Sequence, residues 1–386
     1  MNIKTAFVAL CASTLLLTSA CQSSTGKGVD SKAVTTKKVQ TPDEEAASAS
    51  GFVKPSDPGL KYVGRISFRN PNAPVFGYTG AQIYANFTGT SLRMKVKPNS
   101  GFFVAVIDGG KPIKVQSLKD SLITFATHLK EGTHSLLIAQ DTEAADVNFP
   151  VFYGLKLDKG ARLAKAPELP ERKIEFIGNS ITCGKGALDK TVKKDHDELG
   201  FESWYISYDA EIARRLNAQC MVVARSGIGI YRNNGDPKLG GKPTIQDYYT
   251  HTLLDLKSED WDFANYEPQL VCVNLGTNDT AQTYDVEMFK KAAKKFLGDV
   301  RGHYPNAKIV VLTGPMRSGK RLADQKAALD YAVNQLKPAG EKEMYRFDVP
   351  YDTGRFGYGT GHHPAEGEHK YMADLLTPYL QKLMGW

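Results

Sequence analysis

The sequence is poor in cysteine. Five occur in 386 residues, and two of them, Cys11 and Cys21, stand in an apolar N-terminal stretch. Cys183, Cys220 and Cys272 remain, an odd number, so at least one is unpaired within the chain. Cys220 in "QCMVV" and Cys272 in "VCVNLG" have the setting of buried strands, where a thiol acts as a small hydrophobe. Dense blocks of Lys or Arg are also lacking. A net charge of +7 is only mildly basic and reads as solvated surface, not as a nucleic-acid stripe. No long apolar segment offers a lipase lid. "GIGIYRNNG" contains glycines without the Gly-x-Gly-x-x-Gly spacing of a nucleotide loop.

The N-terminus carries most of the continuous apolarity. Asn2 and Lys4 precede "AFVALCASTLLLTSAC", which ends at Cys21. A polar, basic start, a short apolar core and small residues form a secretory signal over residues 1–21. The stretch is too short and wrongly flanked for a stable membrane span. Thr18, Ser19 and Ala20 before Cys21 resemble a bacterial lipoprotein signal, with Cys21 as the lipidated residue. Leucine, usual three places before that cysteine, is here Thr18, and ordinary cleavage after Ala20 is the alternative. A lipid anchor would hold the protein at a cell-envelope membrane without spanning it. Residues 22–51 hold almost no large apolar side chains and read as a disordered linker.

From 52 to 165 the chain consists of short runs such as "AQIYANFTG", "SLRMKVKP" and "FFVAVIDGG". Many alternate apolar with polar, and turn signals separate them. The pattern predicts an all-β sandwich. "KAPELPERK", Lys165–Lys173, with two prolines, marks the boundary. Over 170–386 apolar strands are expected at 173–178, 219–225, 269–276, 307–314 and 343–350. Helical segments lie between them at "SWYISYDAEIARRLN", "DVEMFKKAAKKFLGDVRGHY" and "RLADQKAALDYAVNQLK", and "AEGEHKYMADLLTPYLQKLM" closes the chain. Strands alternating with helices predict a parallel five-stranded sheet with helices on both faces.

Ligands of open α/β sheets bind outside the carboxyl ends of the strands. The first strand ends in Gly178-Asn179-Ser180, where Gly178 is expected to let the backbone turn tightly. The second is followed by Ser226-Gly227-Ile228-Gly229, the third by Gly276-Thr277-Asn278-Asp279, and the fifth by a segment containing His362 and His363. A nucleophile, oxyanion donors and a general base thereby reach one edge, as acyl transfer requires. Each part has a plain alternative. Ser180 fits a turn, Asn278 a helix cap, and His363 before Pro364 a structural loop. His362, His363, Glu366 and His369 could also ligate zinc. No second matching cluster accompanies them, so neither metal nor cofactor is expected.

"GNSIT", "GTND" and "HHP" before the final helix resemble three blocks of the SGNH (GDSL-type) hydrolases, with Asn179 where Asp is usual. A β-sandwich followed by "RKIEFIGNSITCG", "ARSGIGIYRN" and "HP" is similar to carbohydrate esterase family two. That resemblance spans nearly all of residues 52–386. It implies a jelly-roll domain packed on a flavodoxin-like three-layer SGNH domain. It also implies removal of O-acetyl groups from polysaccharides such as xylan and mannan. Carried over, Ser180 is the nucleophile and His363 the base, favoured over His362 because it directly precedes proline. The oxyanion donors are the Ser180 and Gly229 N–H groups and the Asn278 side chain, with Gly227 as the alternative glycine. The family's Asp two residues before the histidine is here Gly361, and Thr360 occupies the place of the Asp in other SGNH enzymes. Asp352 and Glu366 are near in sequence but sit at no matching position. Either a backbone carbonyl orients His363 in a Ser–His dyad, or the protein is catalytically weak or dead. An acetylated oligo- or polysaccharide is the expected partner, with no nucleic acid and no membrane beyond the anchor. Two alternatives are an acyl hydrolase on another small ester and a non-catalytic carbohydrate-binding surface lipoprotein.

Overall fold

The computed structural model describes residues 50–144, 148–191, 198–337 and 343–386. The expected signal of residues 1–21 with Cys21, and residues 22–49 of the expected linker, lie outside the described residues.

The first part is built from short strands. They are β1 (Phe52–Val53), β2 (Lys61–Val63), β3 (Ile66–Ser67), β4 (Val75–Phe76), β5 (Gln82–Thr88), β6 (Leu92–Val96), β7 (Gly101–Ile107), β8 (Ile113–Ser117), β9 (Leu122–Ala126), β10 (Thr133–Gln140) and β11 (Phe152–Lys156). One sheet has the order β1-β11-β6-β9 and the other β2-β5-β10-β7-β8, while β3 and β4 pair separately. Alternation explains the packing. In β5, Ile83, Ala85 and Phe87 point into the core that Leu136 and Ile138 of β10 and Leu92 and Met94 of β6 complete. Side chains of a strand alternate between faces, so each sheet buries one face against the other.

The second part is a parallel sheet of β12 (Arg172–Gly178), β13 (Ala218–Ala224), β14 (Leu270–Asn274), β15 (Lys308–Thr313) and β16 (Met344–Asp348). Their order is β13-β12-β14-β15-β16. Strands β13, β14 and β15 are buried on both faces and read as largely apolar runs, whereas the edge strand β16 is only partly buried. Ile177, Val223, Val273 and Val311 face the helices Val286–His303 and Gly319–Gln335. Phe176, Val222, Cys272 and Leu312 face the helices Tyr208–Arg215 and Glu366–Met384. Cys183, Cys220 and Cys272 are buried and unpaired.

One expected helix is shorter than its pattern. The "SWYISYDAEIARRLN" segment forms a 3₁₀ turn over Trp204–Ile206, and the α-helix starts only at Tyr208. Ser207 is extended, at φ −67 and ψ 160, and stands as the N-cap that separates the two. Asp141 of the sandwich takes the Trp204 N–H on its carbonyl at 2.9 Å and the Tyr205 N–H on its carboxylate at 3.0 Å. The segment that leads into the helix is thus bonded to the sandwich.

A buried cation holds the two parts together more deeply. Arg65, between β2 and β3, is fully buried. It meets the Glu175 carboxylate of β12 at 3.2 Å and donates to the carbonyls of Tyr249 and His251. Its guanidinium carbon lies 4.9 Å from the Tyr249 ring centroid and 5.3 Å from that of Trp261. The Tyr249 hydroxyl donates to Glu175 at 3.1 Å. Removing one partner leaves a buried charge without compensation, at about 3–5 kcal/mol. Arg65→Ala should therefore lower the unfolding free energy by about that amount in urea. A loss below about 1 kcal/mol, the range of an exposed pair, would contradict this account.

Candidate active site

Ser180 opens a four-residue helix, Ser180–Cys183, directly after β12. Asn179 caps it: its Oδ1 accepts the Ile181 N–H at 3.0 Å. An asparagine serves as well as the usual aspartate here, because an N-cap needs only a side-chain acceptor. Gly178 has a different reason from the expected tight turn, since it is not among the glycines at positive φ. A Cβ at that position would stand 2.0 Å from Thr182 Oγ1, so glycine is required by the close approach of the helix to its own strand. The tight turn comes at the other end, where Gly184 at φ +72 closes the helix.

His363 approaches from the loop after β16. Its Nε2 lies 2.8 Å from Ser180 Oγ, and its Nδ1 lies 2.8 Å from the Thr360 carbonyl oxygen. A carbonyl only accepts, so Nδ1 carries the proton and the lone pair of Nε2 faces the serine hydroxyl. The carbonyl thus fixes the tautomer in which the imidazole accepts the serine proton. Thr360–His362 is a 3₁₀ turn with Gly361 at φ +61, which points the Thr360 carbonyl back at the ring. A Cβ on Gly361 would lie 3.7 Å from His363 Nδ1, so position 361 borders the acid side of the imidazole. His362 does not face the serine; its ring packs 5.2 Å from that of Tyr358. Asp352 is buried and accepts the Gly354 N–H at 2.8 Å, and Glu366 is exposed.

The other two strand ends interlock. Asn278 does not cap its own turn; its Nδ2 donates to the Ile228 carbonyl at 2.7 Å. An amide nitrogen has two hydrogens, so this bond leaves one for a ligand. Gly229 N–H donates to Asn233 Oδ1 at 3.2 Å, and a Cβ there would stand 1.9 Å from the Arg232 carbonyl oxygen. Gly227 has φ +79 with open space around it.

Asp279 is the residue to which pattern reading gives no role and the structure gives much. It is fully buried and accepts the N–H groups of Ile230 at 2.9 Å and Tyr231 at 2.8 Å. Arg232, also buried, donates to the carbonyls of Asn278 at 3.1 Å and Ala281 at 2.6 Å. Burial pushes the Asp279 carboxyl up to about 6 against the pull of those backbone donors. Glu143 reaches in from the sandwich, and its Oε1 accepts the Ser226 N–H at 2.7 Å. Its own N–H donates to the Glu202 carboxylate, which burial and then the Glu143 charge push well above the usual range. "GTND" contained Asp279 as a signal, whereas nothing in sequence tied Glu143 to a residue 83 positions away.

Among the described residues no group of three or more His, Cys, Asp and Glu could hold a metal ion. His369 instead accepts the Tyr208 N–H on Nδ1 at 3.3 Å. Burial, and then the neighbouring His363, depress it from 6.5 to about 3. The folded state refuses a proton that the unfolded chain takes below about 6.5. The stability tied to His369 is therefore complete above about 6.5 and is lost as pH falls toward about 3. Replacing it by Gln removes that loss. The difference in unfolding free energy between wild type and His369→Gln should shrink from pH 7 to pH 4, and a difference constant across that range would contradict the assignment.

Two family models match the chain. "Carbohydrate esterase 2 N-terminal" covers residues 62–167, and "GDSL-like Lipase/Acylhydrolase family" covers residues 176–378. The chain is 36% identical over 351 residues to "Cellulase/esterase CelE" of Acetivibrio thermocellus, covering 90% of this chain and 41% of that protein. It thus spans about two fifths of that relative's length. It is 28% identical over 351 residues to an "Acetylxylan esterase / glucomannan deacetylase" of Cellvibrio japonicus, covering 88% of this chain and 93% of that one. A family two carbohydrate esterase from Clostridium thermocellum, solved in complex with cellohexaose, superposes with a TM-score of 0.79 at 35% identity. That match covers 85% of this chain and all of the other, 100%.

Proposed function

The chain belongs to the GDSL-like lipase/acylhydrolase family and, within it, to the family two carbohydrate esterases, and we propose that it is a serine esterase that removes O-acetyl groups from a hemicellulose such as acetylated xylan or mannan. One observation carries this reading: Ser180 Oγ and His363 Nε2 stand at 2.8 Å while the other ring nitrogen is held on the Thr360 carbonyl. The relatives named as acetylxylan esterase and glucomannan deacetylase support the substrate class. The Thr360 carbonyl favours catalysis over a purely glycan-binding role, because it occupies the acid side of the ring that Gly361 leaves without a side chain.

In the proposed reaction Ser180 Oγ attacks the acetyl carbonyl as its proton passes to His363 Nε2. The imidazolium then donates that proton to the departing sugar hydroxyl, leaving acetyl-Ser180. A water repeats the sequence and releases acetate, and Nδ1 keeps its proton, donated to the Thr360 carbonyl, throughout. The proposed oxyanion donors are the Ser180 N–H, the Asn278 Nδ2–H that its bond to Ile228 leaves over, and the Gly229 N–H. The last would exchange its long bond to Asn233 for the developing charge. Gly227 stays the alternative glycine.

The division into a sandwich over 52–165 and a catalytic domain over 170–386 is proposed from the change of strand pattern at "KAPELPERK". Export by the signal of residues 1–21, lipidation of Cys21 and a linker to residue 51 are proposed from sequence alone. Among the described residues no helix is long and apolar enough to cross a membrane.

Acetate release from acetylated xylan and glucomannan tests the reading. Ser180→Ala should abolish it without loss of folded protein, and near-full turnover in that variant would remove the serine from the chemistry. Asn278→Ala should lower kcat by about 10²–10³ with little change in KM, because a donor aimed at the developing oxyanion acts in the transition state. Unchanged kcat in a less stable Asn278→Ala protein would assign the amide to holding Ile228 alone.

A further inference from the structure

A buried carboxylate stands one residue removed from the acid side of His363. Asp189 lies on the loop that follows the Ser180–Cys183 helix and is 1% exposed. Its Oδ2 accepts a hydrogen bond from Thr360 Oγ1 at 2.8 Å. Its Oδ1 accepts both the N–H and the hydroxyl of Thr191 at 2.7 Å. Both carboxyl oxygens thus act as acceptors. Thr360 is the residue whose carbonyl holds His363 Nδ1 at 2.8 Å.

The two loops are joined along their length. Thr360 N–H donates to the Gly186 carbonyl at 3.3 Å, and Glu366 N–H to the Ala187 carbonyl at 3.1 Å. A Cβ on Gly186 would stand 2.6 Å from Thr360 Cβ, and one on Gly359 would stand 2.2 Å from the Gly186 oxygen. Two glycines therefore admit an approach that no larger residue allows. Thr360 is gripped by its side chain on one side and offers its carbonyl on the other.

We propose that Asp189 is the positioning carboxylate of this site, acting through Thr360 on the catalytic base. Its grip on the Thr360 hydroxyl fixes the plane of the Thr360 carbonyl, and that carbonyl fixes the ring of His363. No proton reaches Asp189; the Nδ1 proton stays between His363 and Thr360 during turnover. The acid that is absent at position 361 is thus replaced by one supplied from the nucleophile's own loop. The inference rests on the proposed Ser180–His363 esterase.

Steady-state hydrolysis of 4-nitrophenyl acetate by the purified full-length chain tests it. Asp189→Ala and Thr360→Val should each lose about tenfold to a hundredfold in kcat with KM within about twofold, since misplacing a base by a fraction of an ångström acts on the chemical step. Thr360→Ser keeps the hydroxyl and should recover kcat to within about threefold of wild type, within the small cost of a retained hydrogen bond. If Asp189→Ala does not fold, the Val and Ser pair at 360 decides alone. A Thr360→Ser variant as slow as Thr360→Val, or an Asp189→Ala protein with unchanged kcat, would overturn the proposal. Proton NMR gives an arm independent of turnover. The downfield Nδ1–H signal, assigned by its loss in His363→Ala, should shift or broaden in Asp189→Ala and Thr360→Val and persist in Thr360→Ser. An unmoved signal in Asp189→Ala would overturn the positioning role even if Ser180→Ala had shown that the serine is not the nucleophile.

Discussion

The in-register pairing of three parallel strands governs the rest of the molecule. Gly178 lies opposite Ala224 on one side and opposite Asn274 on the other. Strands β12, β13 and β14 therefore release their loops at one level of the sheet. The side-chain period of a strand is two, so a slip by one residue would turn each of them over and bury the wrong face. With the register fixed by apolar residues on both faces, the loops emerge side by side. The serine helix, the Ser226–Gly229 turn and the Asn278 loop then need only short-range bonds to lock. Asp279 and Arg232 tie the second and third of these together from opposite charges, one collecting backbone N–H groups and the other collecting carbonyls.

What the sequence made legible follows from range. The inner parallel strands were readable because burial on both faces leaves largely apolar runs, and the edge strand β16 because it follows a helical segment in the alternating order. Ser180 and Asn278 were readable because each follows a strand end within a few residues, and His363 because it stands in the segment between the last strand and the closing helix. Gly178 was found, but for the wrong reason: the clash with Thr182 is a packing fact that a turn rule does not contain. The start of the Tyr208–Arg215 helix was missed because Ser207 is extended and serves as N-cap in the middle of the helical pattern, and the bonds from Asp141, more than sixty positions earlier, to the preceding segment were hidden. Arg65 with Glu175, Glu143 with Ser226 and Asp189 with Thr360 were invisible for the same reason. Each joins residues that only the fold brings together, and a charged residue in a sequence looks like surface until its partner is known.

These long-range contacts give the sandwich a part in the site. Its Arg65 binds the strand that delivers Ser180, its Asp141 fixes the segment after the serine loop, and its Glu143 holds the turn that leads to Gly229. A domain that only tethered a substrate would not need a buried cation in its neighbour's sheet. The proposed deacetylase is therefore best viewed as one catalytic unit with two kinds of layer.

The central claim is that Ser180 is a nucleophile activated by His363 under the hold of a backbone carbonyl. Its most direct measurement is labelling with a serine-directed organophosphate, diethyl 4-nitrophenyl phosphate, followed by peptide mass mapping. The account predicts one diethylphosphoryl group, on the peptide containing Ser180, formed at a rate that collapses in His363→Ala. A label on another residue, or labelling of Ser180 at an undiminished rate without His363, would contradict it.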